Sequence, residues 1–136
     1  MNEDRITTRM VLLRRWLRFS AVGATGIVVQ ATTLALLLRV AGMHYLAATA
    51  LAVEASVLHN FIWHRQWTWA DRKGGNVAAM LLRFNLTTGA MSIAGNLILM
   101  FVFVAGVGLS AFAATLASIA ICSLVNFALS DRLVFV

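Results

Sequence analysis

FNLTTGAMSIAGNLILMFVFVAGVGLSAFAATLASIAICSLVNFALS, the stretch from Phe84 to Ser130, runs for 47 residues without a charged side chain. As α-helix at about 1.5 Å per residue it would extend roughly 70 Å, which suits two crossings of a hydrocarbon core about 30 Å thick. Working outward, Phe19 to Leu38 gives a further 20 uncharged residues, and Tyr45 to Trp63 gives 19 interrupted only by Glu54. Four membrane spans are predicted, at about 19–38, 45–63, 84–105 and 111–130. Across all 136 residues, 61% are hydrophobic and 12% charged, with a mean hydropathy of +0.86. Soluble chains carry roughly 25% charged residues, so a soluble domain is excluded.

The chain repeats itself. Leu17-Arg18-Phe19 returns as Leu82-Arg83-Phe84, 65 positions on. Ala47-Ala48-Thr49 returns as Ala113-Ala114-Thr115, and Leu58-x-Asn60-Phe61 as Leu124-x-Asn126-Phe127, both 66 positions on. An aromatic follows each Asn-Phe pair at one distance, Trp69 and then Phe135. A repeat of this length filled with apolar residues predicts a duplicated pair of helices. An even number of spans per repeat brings both halves in from the same side. The expected fold is therefore an all-α membrane protein whose four transmembrane helices form two parallel helical-hairpin repeats, unlike inverted-repeat transporters.

Net charge is +6, and the placement of the charge explains it. Arg5, Arg9, Arg14, Arg15 and Arg18 precede span one, Arg65, Arg72, Lys73 and Arg83 lie between spans two and three, and Arg132 follows span four. Only Arg39, one of eleven basic residues, falls on the other side. By the positive-inside rule both termini and the 66–80 loop are cytoplasmic. Basicity of this pattern sets topology and attracts anionic lipid, and it does not predict nucleic-acid binding.

Residues 1–18 place Ile6, Met10, Leu13 and Leu17 at helical spacing among arginines, as an interfacial amphipathic segment would, leading into a transmembrane domain over 19–136. Nothing resembles a cleavable signal peptide. There is no proline to force a kink, and the turns near Arg39–His44 and Gly106–Ser110 are short and contain glycine. All four tryptophans (Trp16, Trp63, Trp67 and Trp69) fall at the expected cytoplasmic boundary. They fit an interfacial belt, or alternatively a stacking surface for a sugar. Small residues in spans two and four, with the lone Cys122 among them, read as helix-packing positions.

No enzyme constellation is present: neither a metal-ligand cluster, nor a phosphate-cradling glycine loop, nor a nucleophile triad. His59 and His64, five apart, lie on different helix faces. Non-enzymatic, cofactor-free function is expected. Among the polar residues, Glu54 sits near midplane, where a carboxylate costs several kcal/mol unless paired or protonated. Its repeat counterpart is Ala120. It can be a protonated packing group, a proton carrier or an acceptor for sugar hydroxyls. Gln30 and Asn96 occupy similar depths and can bond across helices or line a polar cavity. Arg18 and Arg83 recur at the cytoplasmic ends of spans one and three, as snorkelling anchors or as phosphate ligands with paired donors. Asn60 and Asn126 recur at the inner ends of spans two and four, with Arg65 following the first.

These residues carry a resemblance. Arg18-Phe19-x-x-x-Gly23 opens the pattern, Asn60-Phe61 with Trp67-Thr68-Trp69 follows, and Asn126-Phe127 with Val134-Phe135 closes it. Over roughly residues 14–136 the chain resembles the GtrA-like family. It departs from the pattern at Thr88, which stands where Gly23 stands, and at Asp131, which stands where Arg65 stands. The resemblance implies a role in cell-surface polysaccharide synthesis or glycosylation, moving a polyprenyl-phosphate-linked sugar across the cytoplasmic (inner) membrane. A membrane glycosyltransferase is the implied partner. A headgroup of that kind needs cations at the mouth and uncharged polar groups at depth, which Arg18, Arg83, Gln30, Glu54 and Asn96 can supply. Four helices leave little room to enclose a headgroup, so a homo-oligomer or a partner is expected. Two alternatives stay open: a non-transporting subunit that anchors a glycosyltransferase, and a small proton-coupled exporter. The exporter fits poorly with the one-sided basic charge.

Overall fold

The computed structural model describes residues 2–72 and 74–136, and every regular element among them is helical. The chain divides into two compact units, Met1–Lys73 and Gly74–Val136. Three helical runs are long and apolar enough to cross a membrane by length and composition: Arg5–Arg39, Val77–Gly106 and Ala113–Val134. A further helix of 19 residues, Tyr45–Trp63, extends about 28 Å and carries Glu54 at its middle.

In the first unit α1 runs unbroken from Asn2 to Arg39, so the basic N-terminal segment and span one are one helix. No glycine or proline lies between Asn2 and Val22 to interrupt it. At its far end Gly42, with φ 60°, reverses the chain, and the backbone N–H of Met43 returns to the Leu37 carbonyl at 3.1 Å. That is the glycine-dependent helix stop. The helix α2 (Tyr45–Trp63) then packs back along α1. Its contact stripe is Ala48, Ala52 and Ser56, buried residues four apart on one face. Ser56 Oγ donates to the Gly26 carbonyl at 2.9 Å, and the Asn60 amide lies so close over Gly26 that a Cβ there would fall 2.2 Å from Asn60 Oδ1. A larger residue there would have to displace the Asn60 amide.

In the second unit Asn76 caps α3 (Val77–Phe84), accepting from the N–H groups of Ala78 and Ala79 at 2.9 and 3.2 Å. The helix continues as α4 (Ala90–Phe101). Gly108, with φ 78°, turns the chain, and Leu109 N–H returns to the Phe103 carbonyl at 2.9 Å. Ser110 caps α5 (Ala111–Leu129) through Ala113 N–H. Here the buried stripe is Ala114, Ser118, Cys122 and Asn126, and a Cβ on Gly95 would meet Cys122 Sγ at 3.0 Å.

The helices carry π turns at His64–Thr68, Asn85–Gly89, Val102–Gly106 and Ser130–Val134. Proline-free composition does not forbid these wider turns, which hold one more residue than an α turn. The turn at Asn85–Gly89 lies where the spacing between matching residues grows from 65 to 66: Arg83 is 65 beyond Arg18, while Ser92 is 66 beyond Gly26. The additional residue is taken up there.

Candidate functional site

At the base of the first hairpin four side chains lock the π turn to α1. Phe19 stacks on His64 with ring centroids 4.6 Å apart and planes within 8°. Trp69 meets both edge-on, at 6.0 Å from Phe19 and 5.4 Å from His64. His64 is 1% exposed, and its Nδ1 lies 3.1 Å from Thr68 Oγ1. Burial, with a smaller contribution from His59, lowers the His64 pKa to about 3, so the ring is neutral at physiological pH. The turn is closed by Trp69 N–H on the His64 carbonyl at 2.8 Å.

This lock presents Trp67 to α1. Arg18 Nη1 donates to the Trp67 carbonyl at 3.0 Å, and the guanidinium carbon stands 5.4 Å from the centre of the Trp67 ring. Three residues earlier on α1, Arg15 pairs with Asp71. Arg14, Arg15 and Arg18 thus line a groove of about 470 Å³, with Thr68 and Asp71 opposite. Three guanidiniums against one carboxylate leave it cationic. Arg18 is held by one nitrogen and by its π face, so it keeps further N–H donors of the planar fork that suits phosphate oxygens.

The base of the second hairpin is plainer. Phe84 meets Phe135 edge-on at 6.1 Å, and Phe135 N–H closes the turn on the Ser130 carbonyl at 2.9 Å. Ser130 and Val134, both fully buried, stand 66 residues beyond His64 and Thr68. Arg83 is exposed, and among the described residues its guanidinium has no hydrogen-bond or ion-pair partner; only its carbonyl is engaged, by Thr87 Oγ1 at 2.7 Å.

The remaining polar residues singled out in the sequence do not converge on the groove. Glu54 is exposed, two residues from both Ala52 and Ser56, so it lies on the face of α2 turned away from α1. Thirteen residues separate it from Trp67, roughly 20 Å along the helix. Gln30 is half-buried on α1, and Arg65 is half-buried within the π turn. Asn60 packs on Gly26, its Oδ1 3.2 Å from His59 Nδ1. In the second unit Asn96 donates to the Ser92 carbonyl at 2.7 Å within its own helix. Asn126 Nδ2 donates to Ser92 Oγ at 3.0 Å, while its Oδ1 is buried without a hydrogen-bond partner among the described residues. Asn60 and Asn126 therefore sit at helix crossings.

Sequence reasoning did not single out Arg14, Arg15 or Asp71 as candidates, and it offered Trp67 only as a belt residue or a stacking surface. Arg14, Arg15 and Arg18 at i, i+1 and i+4 share a helix face, a readable signal. The Arg15–Asp71 pairing across 56 residues had none. No group of three or more metal-ligating side chains occurs among the described residues.

Residues 18–135 match the GtrA/DPMS transmembrane domain family. The chain is also 38% identical, over 72 residues, to a dolichol-phosphate mannosyltransferase of Pyrococcus furiosus. That match takes in 53% of this chain and spans 20% of the length of the relative. From a family match over nearly its whole length, and from helices of membrane-crossing length and composition, the chain is a multi-pass membrane protein that belongs to the GtrA/DPMS transmembrane domain family.

Proposed function

We propose that this protein moves a polyprenyl-phosphate-linked sugar from the cytoplasmic to the outer leaflet of the cytoplasmic membrane, without catalysing a reaction of its own. The observation that carries this reading is the cationic groove in which Arg14, Arg15 and Arg18 meet Thr68, with Arg18 held against Trp67. It is a site for an anionic headgroup at the end of the helices where the basic residues cluster. Family membership and a relative named for dolichol-phosphate chemistry support a polyprenyl-phosphate sugar as that headgroup. In this reading the two hairpins are parallel repeats, both termini and the 66–80 loop face the cytoplasm, and the protein works as a homo-oligomer or beside a glycosyltransferase. Glu54, outward on α2, then faces a neighbouring chain or the lipid.

A reconstituted leaflet-exchange assay with a polyprenyl-phosphate sugar tests the reading. Wild-type protein speeds exchange. Arg18→Gln lowers it about tenfold, the effect of one charge-assisted contact. Arg83→Gln changes it less than about twofold, as for a solvated arginine. Absence of exchange by well-folded wild-type protein removes transport. A second reading then takes its place: a membrane subunit that anchors a glycosyltransferase. It is favoured by the match to a stretch that makes up 20% of the mannosyltransferase's length. It predicts co-purification with such an enzyme and stimulation of its activity without movement of product.

A further inference from the structure

Beside Trp67 lies a second concavity of about 320 Å³. Its walls are Ala21, Val22 and Thr25 on α1 and His59, Trp63 and Trp67 on α2 and the π turn. The Thr25 hydroxyl is turned back onto the Val22 carbonyl at 2.8 Å, so the lining it presents is almost wholly apolar. His59 and Trp63 stand 6.3 Å apart with planes at 51°, and Trp63 and Trp67 are 48% and 41% exposed, so the slot is open outward. Thr25 is seven residues beyond Arg18, about 10 Å deeper along α1. Trp67 links the slot to Arg18: it lines the slot, and its ring and carbonyl hold the Arg18 guanidinium.

We propose that this slot receives the isoprene units nearest the phosphate of a polyprenyl phosphate, whose phosphate rests on Arg18. The proposal rests on the reading that the arginine groove takes a prenyl-linked phosphate, and it assigns the part of the ligand that reading leaves in the bilayer. The fit follows from how closely charge and chain adjoin. Through Trp67 the Arg18 guanidinium adjoins the slot, its carbon 5.4 Å from the centre of that ring. A prenyl phosphate begins its branched hydrocarbon directly at the phosphate ester oxygen. A glycerophospholipid interposes a glycerol and an ester, which would put polar atoms in an apolar slot. Short and aromatic-walled, the slot also suits a methyl-branched chain better than a straight one. Because lipid tails compete for it on equal hydrophobic terms, shape and packing decide occupancy.

The test uses the whole chain in phosphatidylcholine nanodiscs, with farnesyl monophosphate as the branched probe and hexadecyl monophosphate as the straight one. Wild-type protein is expected to bind the branched probe more tightly. Ala21→Leu, at an exposed position that narrows the slot without touching the core, is expected to weaken farnesyl phosphate about tenfold and leave hexadecyl phosphate unchanged. Thr25→Leu, also exposed, acts in the same direction, while Ala35→Leu farther along α1 has no effect. Retained thermal stability in each variant keeps the comparison clean. Equal binding of the two probes by wild-type protein, or full preference surviving both slot variants, overturns the slot and leaves the arginine groove standing. If neither probe binds, or Arg18→Gln leaves both unchanged, the phosphate reading falls and the slot falls with it.

Discussion

At the base of the first hairpin Phe19 is gripped by His64 and Trp69, with Thr68 bonded to the histidine; at the base of the second Phe84 meets Phe135, beside Ser130 and Val134. Both bases close on the same π-turn hydrogen bond, Trp69 to His64 and Phe135 to Ser130. The difference lies in what each turn holds. In the first, His64 and Thr68 satisfy one another inside the lock, and the turn delivers Trp67 as a platform for Arg18. In the second, Ser130 Oγ is buried without a hydrogen-bond partner among the described residues, a defect that costs about 1–3 kcal/mol. One backbone device thus serves two purposes. Where histidine and threonine pair inside it the turn fixes a cation in place, and where serine and valine stand instead it closes a hairpin and leaves Arg83 exposed.

Three measurements press on that contrast. The largest effect is expected from Trp69→Ala, which strips both edge-on ring contacts. It should cost about 3–5 kcal/mol in reversible unfolding, with Phe135→Ala at the lower end of that range. Equal losses together with unchanged anion binding would show that the first lock does not position Arg18. Next comes pH. His64 is neutral when folded and takes up a proton below about pH 6.5 when unfolded. Its contribution is therefore complete above pH 6.5 and is lost as pH falls toward its folded value of about 3. By pH 5 the loss is about 2 kcal/mol. Hydrogen exchange should show it at residues 64–72 and not at 130–136, where serine replaces the histidine, and His64→Ser should flatten the profile. The smallest effect is from Asp71→Asn. Its carboxylate is 59% exposed, so breaking the pair with Arg15 changes stability by less than about 1 kcal/mol. It also adds one net positive charge to the groove, so phosphate binding should tighten roughly two- to threefold at low salt.

The helices and hairpin turns were legible because their causes are local: long uncharged runs, and glycines at Gly42 and Gly108 that accept a left-handed conformation. Arg18 was legible as a candidate because a cation repeated beside a phenylalanine is visible in one dimension. Its restraint by Trp67 was not, since it depends on a π turn, and the five residues His64–Thr68 read alike as α or π. Glu54 shows a different gap. Its depth follows from counting, but its direction follows from which stripe of α2 meets α1. The Ala48, Ala52 and Ser56 stripe, which turns Glu54 outward, is legible once α2 is known to pack there. Asn60 and Asn126 are legible as a repeated pair at inner helix ends, while their seats at helix crossings depend on Gly26 and Ser92 opposite them.

The π turn at Asn85–Gly89 has a bearing on how such a chain can change over generations. One residue inserted into an α-helix rotates everything beyond it by about 100°, which would swing Gly95 and Ser92 away from α5. A turn that swallows the insertion confines the damage to five residues. Helical segments that share a pattern can then differ in length inside a helix, not only in their loops, while each keeps its own seam. Helix interiors of this kind are places where length variants can be tolerated.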